Sequence, residues 1–159
     1  MNRDSAALTD LILETFRLNG RLLAAGDALV ASLGLTSARW QVLGAVTLSP
    51  LPLTVSQIAR EMGLTRQSVQ RLVNEMVRDD LLRLHANPNH RRARLVERTM
   101  RGRSMYEAAI ARQEPWAADL AEACSGERIG AATAVLKALR ARLEARTPQH
   151  RTGKEGGTC

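Results

Sequence analysis

Apolar residues recur at steps of three and four through most of this chain, which is the spacing of one face of an α-helix. The first such stretch covers residues 5–33, where Asp4 or Ser5 can cap its start and Gly34 follows its last turn. The same spacing predicts further helices at residues 37–48, 55–62, 66–79, 99–123 and 126–146. The pattern therefore predicts a mainly α fold.

Two short runs between the fourth and fifth helices have the pattern of strands rather than helices. They cover residues 82–84 and 94–97, and the turn-forming residues of segment 86–91 lie between them. We therefore expect a small β-hairpin. The Gly-rich, charged tail at 147–159 is expected to be disordered.

The positive charge of the chain is concentrated in its middle. Residues 60–103 hold eleven Arg and five Asp or Glu, whereas residues 1–59 hold four of each kind. Almost all of the cations are Arg, whose planar fork matches phosphates and guanine edges. A merely basic surface is the alternative, but the location of the excess favours nucleic acid.

The segment 55–72 has the spacing of a helix-turn-helix. Ala59 is small where two helices would touch, Gly63 suits a turn with positive φ, and Thr65 can cap the following helix. Leu64, like the apolar residues of both helices, is expected to fill the space between them. An ordinary helical hairpin with a polar face is the alternative.

The second helix of this motif and the hairpin carry the candidate DNA contacts. Arg, Gln and Asn can pair with base edges, and a recognition helix enters the major groove by its N-terminal turns. Arginines on a hairpin loop suit the minor groove, although a solvated hairpin tip is the alternative. The predicted DNA-contacting residues are Thr54, Thr65, Arg66, Gln67, Ser68, Gln70, Arg71, Asn74, Arg91, Arg92 and Arg94.

These residues resemble the MarR family of winged helix-turn-helix transcriptional regulators. The resemblance covers residues 5–146 and rests on segments 35–43, 58–69 and 87–92, the last followed by 99–103. Asn87 and Asn89 replace the aspartates that flank the proline in the family's usual wing, which changes how a wing arginine is oriented. Arg98 replaces an apolar residue of the family pattern.

The resemblance implies a homodimer that places two recognition helices in successive major grooves of a palindromic operator. It implies a single domain over 1–146, with a DNA-binding lobe at 36–99 and dimerisation helices at 5–33 and 100–146. A heptad-like stripe in the last helix also favours a dimer, although packing against the first helix is the alternative. This stripe is formed by Ile129, Ala132, Leu136, Leu139 and Leu143.

Many members of the family bind a small aromatic effector, so Phe16, Trp40 and Tyr106 are candidate ligand contacts. Packing in the core is the stronger interpretation for each of these aromatic residues. Cys124 and Cys159 do not match the position of a redox-sensing thiol, and incidental thiols are the favoured interpretation.

No pattern in the sequence indicates an enzyme. The three histidines, His85, His90 and His150, have no acidic or cysteine cluster around them, and no phosphate-binding loop is present. We therefore expect no cofactor and no metal. No apolar run approaches the ~20 residues of a membrane span, so a cytoplasmic protein is expected.

Three classes of function stay open at this stage. The first is a ligand-responsive repressor, which the resemblance favours. The second is a constitutive or architectural DNA-binding protein without an effector. The third is a protein–protein adaptor that uses the winged fold.

Overall fold

The computed structural model describes residues 2–146, so the predicted disordered tail lies outside the described residues. Six α-helices follow the predicted order, and their ends differ from the predicted ends by three residues at most. They are α1 (Arg3–Val30, followed by a 3-10 turn at Ala31–Leu33), α2 (Ser37–Leu48), α3 (Val55–Met62), α4 (Arg66–Arg78), α5 (Met100–Ala121) and α6 (Gly126–Arg146).

The sheet has one more strand than the sequence predicted. The strands β2 (Leu82–His85) and β3 (Leu95–Arg98) form the expected hairpin, and β1 (Leu53–Thr54) pairs with the other edge of β3. Both pairings are antiparallel, so Val96 faces Leu53 on one side and Leu84 on the other. A two-residue strand is too short to show an alternating pattern, which is why β1 was missed.

Side-chain caps and left-handed glycines set the ends of the helices in the lobe. Thr36 accepts a hydrogen bond from the Arg39 backbone N–H at the start of α2. Gly63 adopts φ 64° directly after α3, a conformation that glycine reaches at little steric cost. The chain therefore turns sharply between α3 and α4, as the spacing predicted.

The core lies where these lobe helices meet the sheet, within the compact unit that ends at Pro115. Ile58 and Ala59 of α3 and Val69 of α4 are buried, which confirms that the helix-turn-helix corner is apolar inside. Leu64 is 45% exposed, so its predicted role as filler between the helices is wrong. It lies in the turn itself, outside the contact between the two helices.

Helix α1 is tied to the start of α2 by two hydrogen bonds. The Ser37 backbone N–H donates to Asp27 Oδ1 at 2.6 Å, and Ser37 Oγ donates to the Leu23 carbonyl at 2.7 Å. Gly26 is buried against Ser37, because a Cβ there would lie 2.4 Å from Ser37 Oγ. The C-terminal part of α1 is therefore fixed to the lobe.

Outside the lobe core, the long helices leave apolar side chains exposed. On α1 these are Leu8, Ile12, Leu13, Phe16, Leu18, Leu22 and Leu23. In the second compact unit, which begins at Trp116, they include Leu120, Ile129, Val135 and Leu136, and no residue of α6 is buried. Among residues 2–146 no helix combines the length and apolar character needed to cross a membrane.

Candidate nucleic-acid interface

Helix α4 begins at a cap formed by two hydroxyl side chains. Thr65 Oγ1 accepts a hydrogen bond from the Ser68 backbone N–H at 3.2 Å, and the two side-chain hydroxyls lie 2.8 Å apart. Both residues were predicted to contact DNA, and the structure gives both a role in starting the helix. The cap fixes the first turn of α4, where the exposed polar side chains begin.

One exposed face of α4 forms a shallow groove of polar side chains. Gln70 Nε2 donates to Asn74 Oδ1 at 2.9 Å, so these two amides are aligned along the helix. Five of the predicted contacts line this groove, and Glu75 and Arg78 extend it toward the C-terminal end. The five are Arg66, Gln67, Gln70, Arg71 and Asn74.

Arg71 is an exposed cation of this face that forms an ion pair. Its side chain is 84% exposed, and its Nε donates to Glu75 Oε1 at 3.2 Å. Glu75 in turn lies 3.6 Å from a guanidinium nitrogen of Arg39 on α2, and Arg39 also donates to Asp79 at 2.8 Å. A chain of alternating charges therefore connects the exposed face of α4 to α2.

A second, smaller cleft joins α4 to the hairpin. It is lined by Arg66 and Gln70 of α4, by Arg92 and Arg94 of the hairpin, and by Thr54. The Thr54 hydroxyl donates to Gln57 Oε1 at 2.9 Å as part of the cap of α3. The structure thus brings five of the predicted contacts together in one cleft, and these include residues of both α4 and the hairpin.

Two asparagines and one arginine organise the hairpin loop. Asn87 Oδ1 accepts the Asn89 backbone N–H at 3.0 Å, which closes a local turn. Arg94 donates to the Leu84 carbonyl at 2.7 Å and so bridges the base of the loop. Arg91 and Arg92 are exposed and have no side-chain partner among residues 2–146. These two cations are available to phosphates or to a groove.

A charge pair connects the two long strands of the hairpin. Arg83 donates to both carboxylate oxygens of Glu97 at 3.1 and 3.0 Å, and His85 contacts the same carboxylate. The hydrogen bonds from Arg83 hold the pKa of Glu97 below its ordinary value, and the positive charge of Arg83 and the contact with His85 act in the same direction. Glu97 raises the pKa of Arg83. The pair lies directly across the two antiparallel strands, where Arg83 and Glu97 are partners in the register.

Two residues of the α4 groove were missed in the sequence. Arg78 is seven positions after Arg71, and Glu75 is four positions after it, so both fall on the same face. The helical period alone could have identified them. The prediction stopped at Asn74 because only the N-terminal turns of a recognition helix were considered.

The three candidate ligand contacts lie in different surroundings. Trp40 and Tyr106 are half-buried against the core, and the Arg98 guanidinium lies 5.9 Å from the centre of the Tyr106 ring. Phe16 is 71% exposed on α1. Cys124 is exposed with a free thiol, and Cys159 and His150 lie outside the described residues.

Comparison with known proteins gives this arrangement a context. A model described as the MarR family matches residues 33–93, which include α2, the helix-turn-helix and most of the hairpin. The uncharacterised protein Rv2011c of Mycobacterium tuberculosis is 41% identical over 108 residues, which are 68% of this chain and 74% of that protein.

Two solved structures extend the similarity to the whole fold. The MarR family transcriptional regulator Sco5413 of Streptomyces coelicolor is 30% identical, with a TM-score of 0.69, and the match covers 92% of this chain and all of that one. The transcriptional regulator MosR of M. tuberculosis, solved in complex with DNA, is 25% identical with a TM-score of 0.71. That match covers 86% of this chain and 98% of MosR.

Proposed function

Because this chain belongs to the MarR family of DNA-binding transcriptional regulators, we propose that it represses transcription as a homodimer on a palindromic operator. As a member of this family it is a regulator and not an enzyme. The observation that carries the proposal is the cleft between α4 and the hairpin, which Arg66 and Gln70 line together with Arg92 and Arg94.

In the proposed complex, α4 enters the major groove and the hairpin tip reaches the neighbouring minor groove. The groove face of α4 carries Arg, Gln and Asn, whose side chains can form two hydrogen bonds to guanine or adenine. Arg91 and Arg92 have no protein partner among residues 2–146. Cations at a loop tip are attracted by the negative potential of a narrow minor groove.

The proposed homodimer would cover apolar surface that the single chain exposes. Leu8, Ile12 and Leu22 of α1 and Ile129 and Leu136 of α6 are each about 40% exposed. Exposed apolar residues spaced along a helix are typical of an interface between helices. We therefore assign residues 5–33 and 100–146 to dimerisation and residues 36–99 to DNA binding, within one domain that spans 1–146.

We further propose that a small aromatic effector releases the protein from DNA, with Phe16, Trp40 and Tyr106 as the residues to test first. Trp40 is on α2 and Tyr106 is on α5, so a ligand between them would contact both the lobe and a dimerisation helix. An effector can act only if it binds the released state more tightly than the DNA-bound state. A protein that binds chromosomal DNA shares its compartment, and we propose the cytoplasm.

The test is selection of bound sites from random duplexes with the purified protein. A palindrome with half-sites one helical turn apart, about 34–36 Å, supports a dimer with two docked helices. Binding should weaken about 10³-fold or more between 50 and 200 mM salt if several phosphates are contacted.

Three outcomes would point away from the proposal. No binding to duplex DNA in dilute salt would favour a protein–protein adaptor. Enrichment of duplexes without any shared sequence would favour an architectural protein. Selected operators that no aromatic acid or phenol releases from the protein would favour a constitutive regulator.

A further inference from the structure

We infer that Glu75 determines operator specificity by positioning Arg71 for base contact and by disfavouring contact with phosphates. The inference rests on the proposed function, since it assigns a role within the α4 face that would read DNA. It concerns a residue with the same negative charge as the expected ligand, on a surface where the other charged residues are cationic.

The terminal guanidinium nitrogens of Arg71 form no hydrogen bond with residues 2–146. A guanidinium has five N–H donors, and only the Nε donor of Arg71 is bonded to Glu75. The two N–H groups that can bind guanine O6 and N7 together are therefore still available while the side chain is held at its Nε.

Glu75 is itself held from behind. Its second carboxylate oxygen lies 3.6 Å from Arg39 of α2, and both side chains are mostly buried, at 27% and 21% exposed. Arg39 is fixed in turn by its hydrogen bond to Asp79. The Glu75 carboxylate therefore lies between two arginines, and its contact with Arg39 opposes movement with Arg71.

Stabilisation of the helix alone does not explain this carboxylate. An acidic residue is unfavourable in the C-terminal part of a helix, and α4 ends three residues later at Arg78. An Arg–Glu pair in this order is also the weaker orientation for a pair four residues apart. Both effects predict a neutral residue here if the stability of α4 were the only requirement.

The carboxylate also changes which DNA contacts are favourable. A phosphate brought to Arg71 would approach the Glu75 carboxylate and be repelled, whereas a guanine edge carries no net charge. Loss of the carboxylate should therefore strengthen binding to any duplex more than binding to the operator. Specificity would fall even where total affinity rises.

The experiment compares Glu75→Gln with Glu107→Gln, using the operator obtained by site selection and a scrambled duplex of the same length. Glu107 is exposed on α5 and lies outside the groove. Its variant makes the same change in net charge as E75Q but at a site that lines no part of the groove. We expect E75Q to lower the ratio of operator to scrambled affinity by about threefold or more, as for other contacting residues. E107Q should leave the ratio unchanged.

A double-mutant cycle with Arg71→Ala separates positioning from general electrostatics. If Glu75 acts through Arg71, base preference at the position that Arg71 reads falls in E75Q, and E75Q has no further effect on that preference in the R71A background. If E75Q does not fold, Arg39→Gln removes the support behind the carboxylate and should change the ratio in the same direction.

The inference is overturned if E75Q and E107Q give the same ratio as the unaltered protein. It is also overturned if E75Q changes base preference equally with and without Arg71. A failure of the proposed function is distinguishable from these results, because the unaltered protein would then show no preference for any operator.

Discussion

The lobe at residues 36–99 and the last helix differ in how far their apolar side chains are buried. In the lobe, Val69, Val73 and Met76 of α4 are fully buried inside the same chain. In α6 no residue is buried, and Ile129 and Leu136 are each 43% exposed. The lobe therefore carries its own core, whereas α6 must obtain most of its stabilisation from a surface outside it.

The largest expected effect is that of Gly102→Ala, at the junction of the lobe and α5. A Cβ at Gly102 would lie 2.1 Å from the backbone carbonyl oxygen of Leu81, which cannot rotate away. We expect a loss of about 3 kcal/mol in the free energy of unfolding, as for severe overpacking. Urea unfolding at constant protein concentration measures it.

Gly20→Ala on α1 is the matched control, because nothing lies within 4 Å of a Cβ there. Ala is a better helix former than Gly, so this variant should be as stable as the unaltered protein or more stable by about 0.5–1 kcal/mol. Equal losses in both variants would contradict the view that the junction is closely packed and α1 is not.

The next largest effect should come from charging the apolar face of α6. We expect Ile129→Glu combined with Leu136→Glu to give a monomer whose lobe still folds, because neither side chain belongs to the lobe core. Operator affinity should fall about 100-fold or more through loss of the second half-site. Sedimentation measures the mass, and titration with operator duplex measures the affinity.

Two results would break the comparison between the regions. A double variant that stays dimeric would place the interface elsewhere. A double variant that loses the circular dichroism of the whole chain would show that the lobe depends on α6 for its folding. Lys137→Glu, which makes the same change in the net charge of α6 without replacing an apolar residue, is the control for added charge.

A smaller gain is expected from Asp80→Gly in the lobe. Asp80 has φ 56°, the left-handed conformation that costs most residues energy and that Gly adopts freely. Its carbonyl accepts the Thr99 hydroxyl, a bond that glycine keeps. We expect up to about 1 kcal/mol of added stability. Asp79→Gly, at φ −85°, should instead destabilise, since it gains no relief of strain and removes the carboxylate to which Arg39 donates its hydrogen bond.

The smallest expected effect is the pH dependence of the hairpin. Arg83 lowers the pKa of Glu97 in the folded protein. Their pairing therefore stabilises the fold fully at pH values above the ordinary pKa of Glu, near 4.3, and this stabilisation is lost as the pH falls through the lowered pKa. The stability difference between the unaltered protein and Arg83→Gln should therefore shrink on acidification. Arg91→Gln, which breaks no pair, should show no such trend.

The sequence predicted those parts of the fold that depend on neighbouring residues. Thr65, Gly63 and the apolar spacing of α3 and α4 act within a few positions, and so the helix-turn-helix was recognisable. The contact of Arg39 with Glu75 and Asp79 joins residues about 40 positions apart, and only the angle between α2 and α4 creates it. The bond from Arg94 to the Leu84 carbonyl likewise depends on strand register.

In the candidate site, too, features set by neighbouring residues were predicted and contacts between distant residues were not. The residue types that would contact DNA could be selected because the outward face of a helix follows from its period. The sequence could not predict which of these side chains already form hydrogen bonds within the protein. Thr54 bonds Gln57 in the cap of α3, whereas Arg92 has no partner in the described part of the chain.

The bond between Asp27 and the start of α2 limits how this protein can be recombined with its relatives. Asp27 supplies the acceptor for the Ser37 backbone N–H, and Gly26 leaves room for the Ser37 side chain. These three residues must therefore be exchanged together. A chimera that exchanges the first helix alone would separate them. A chimera should therefore be joined after residue 37, and not in the loop between α1 and α2, so that all three residues come from one parent.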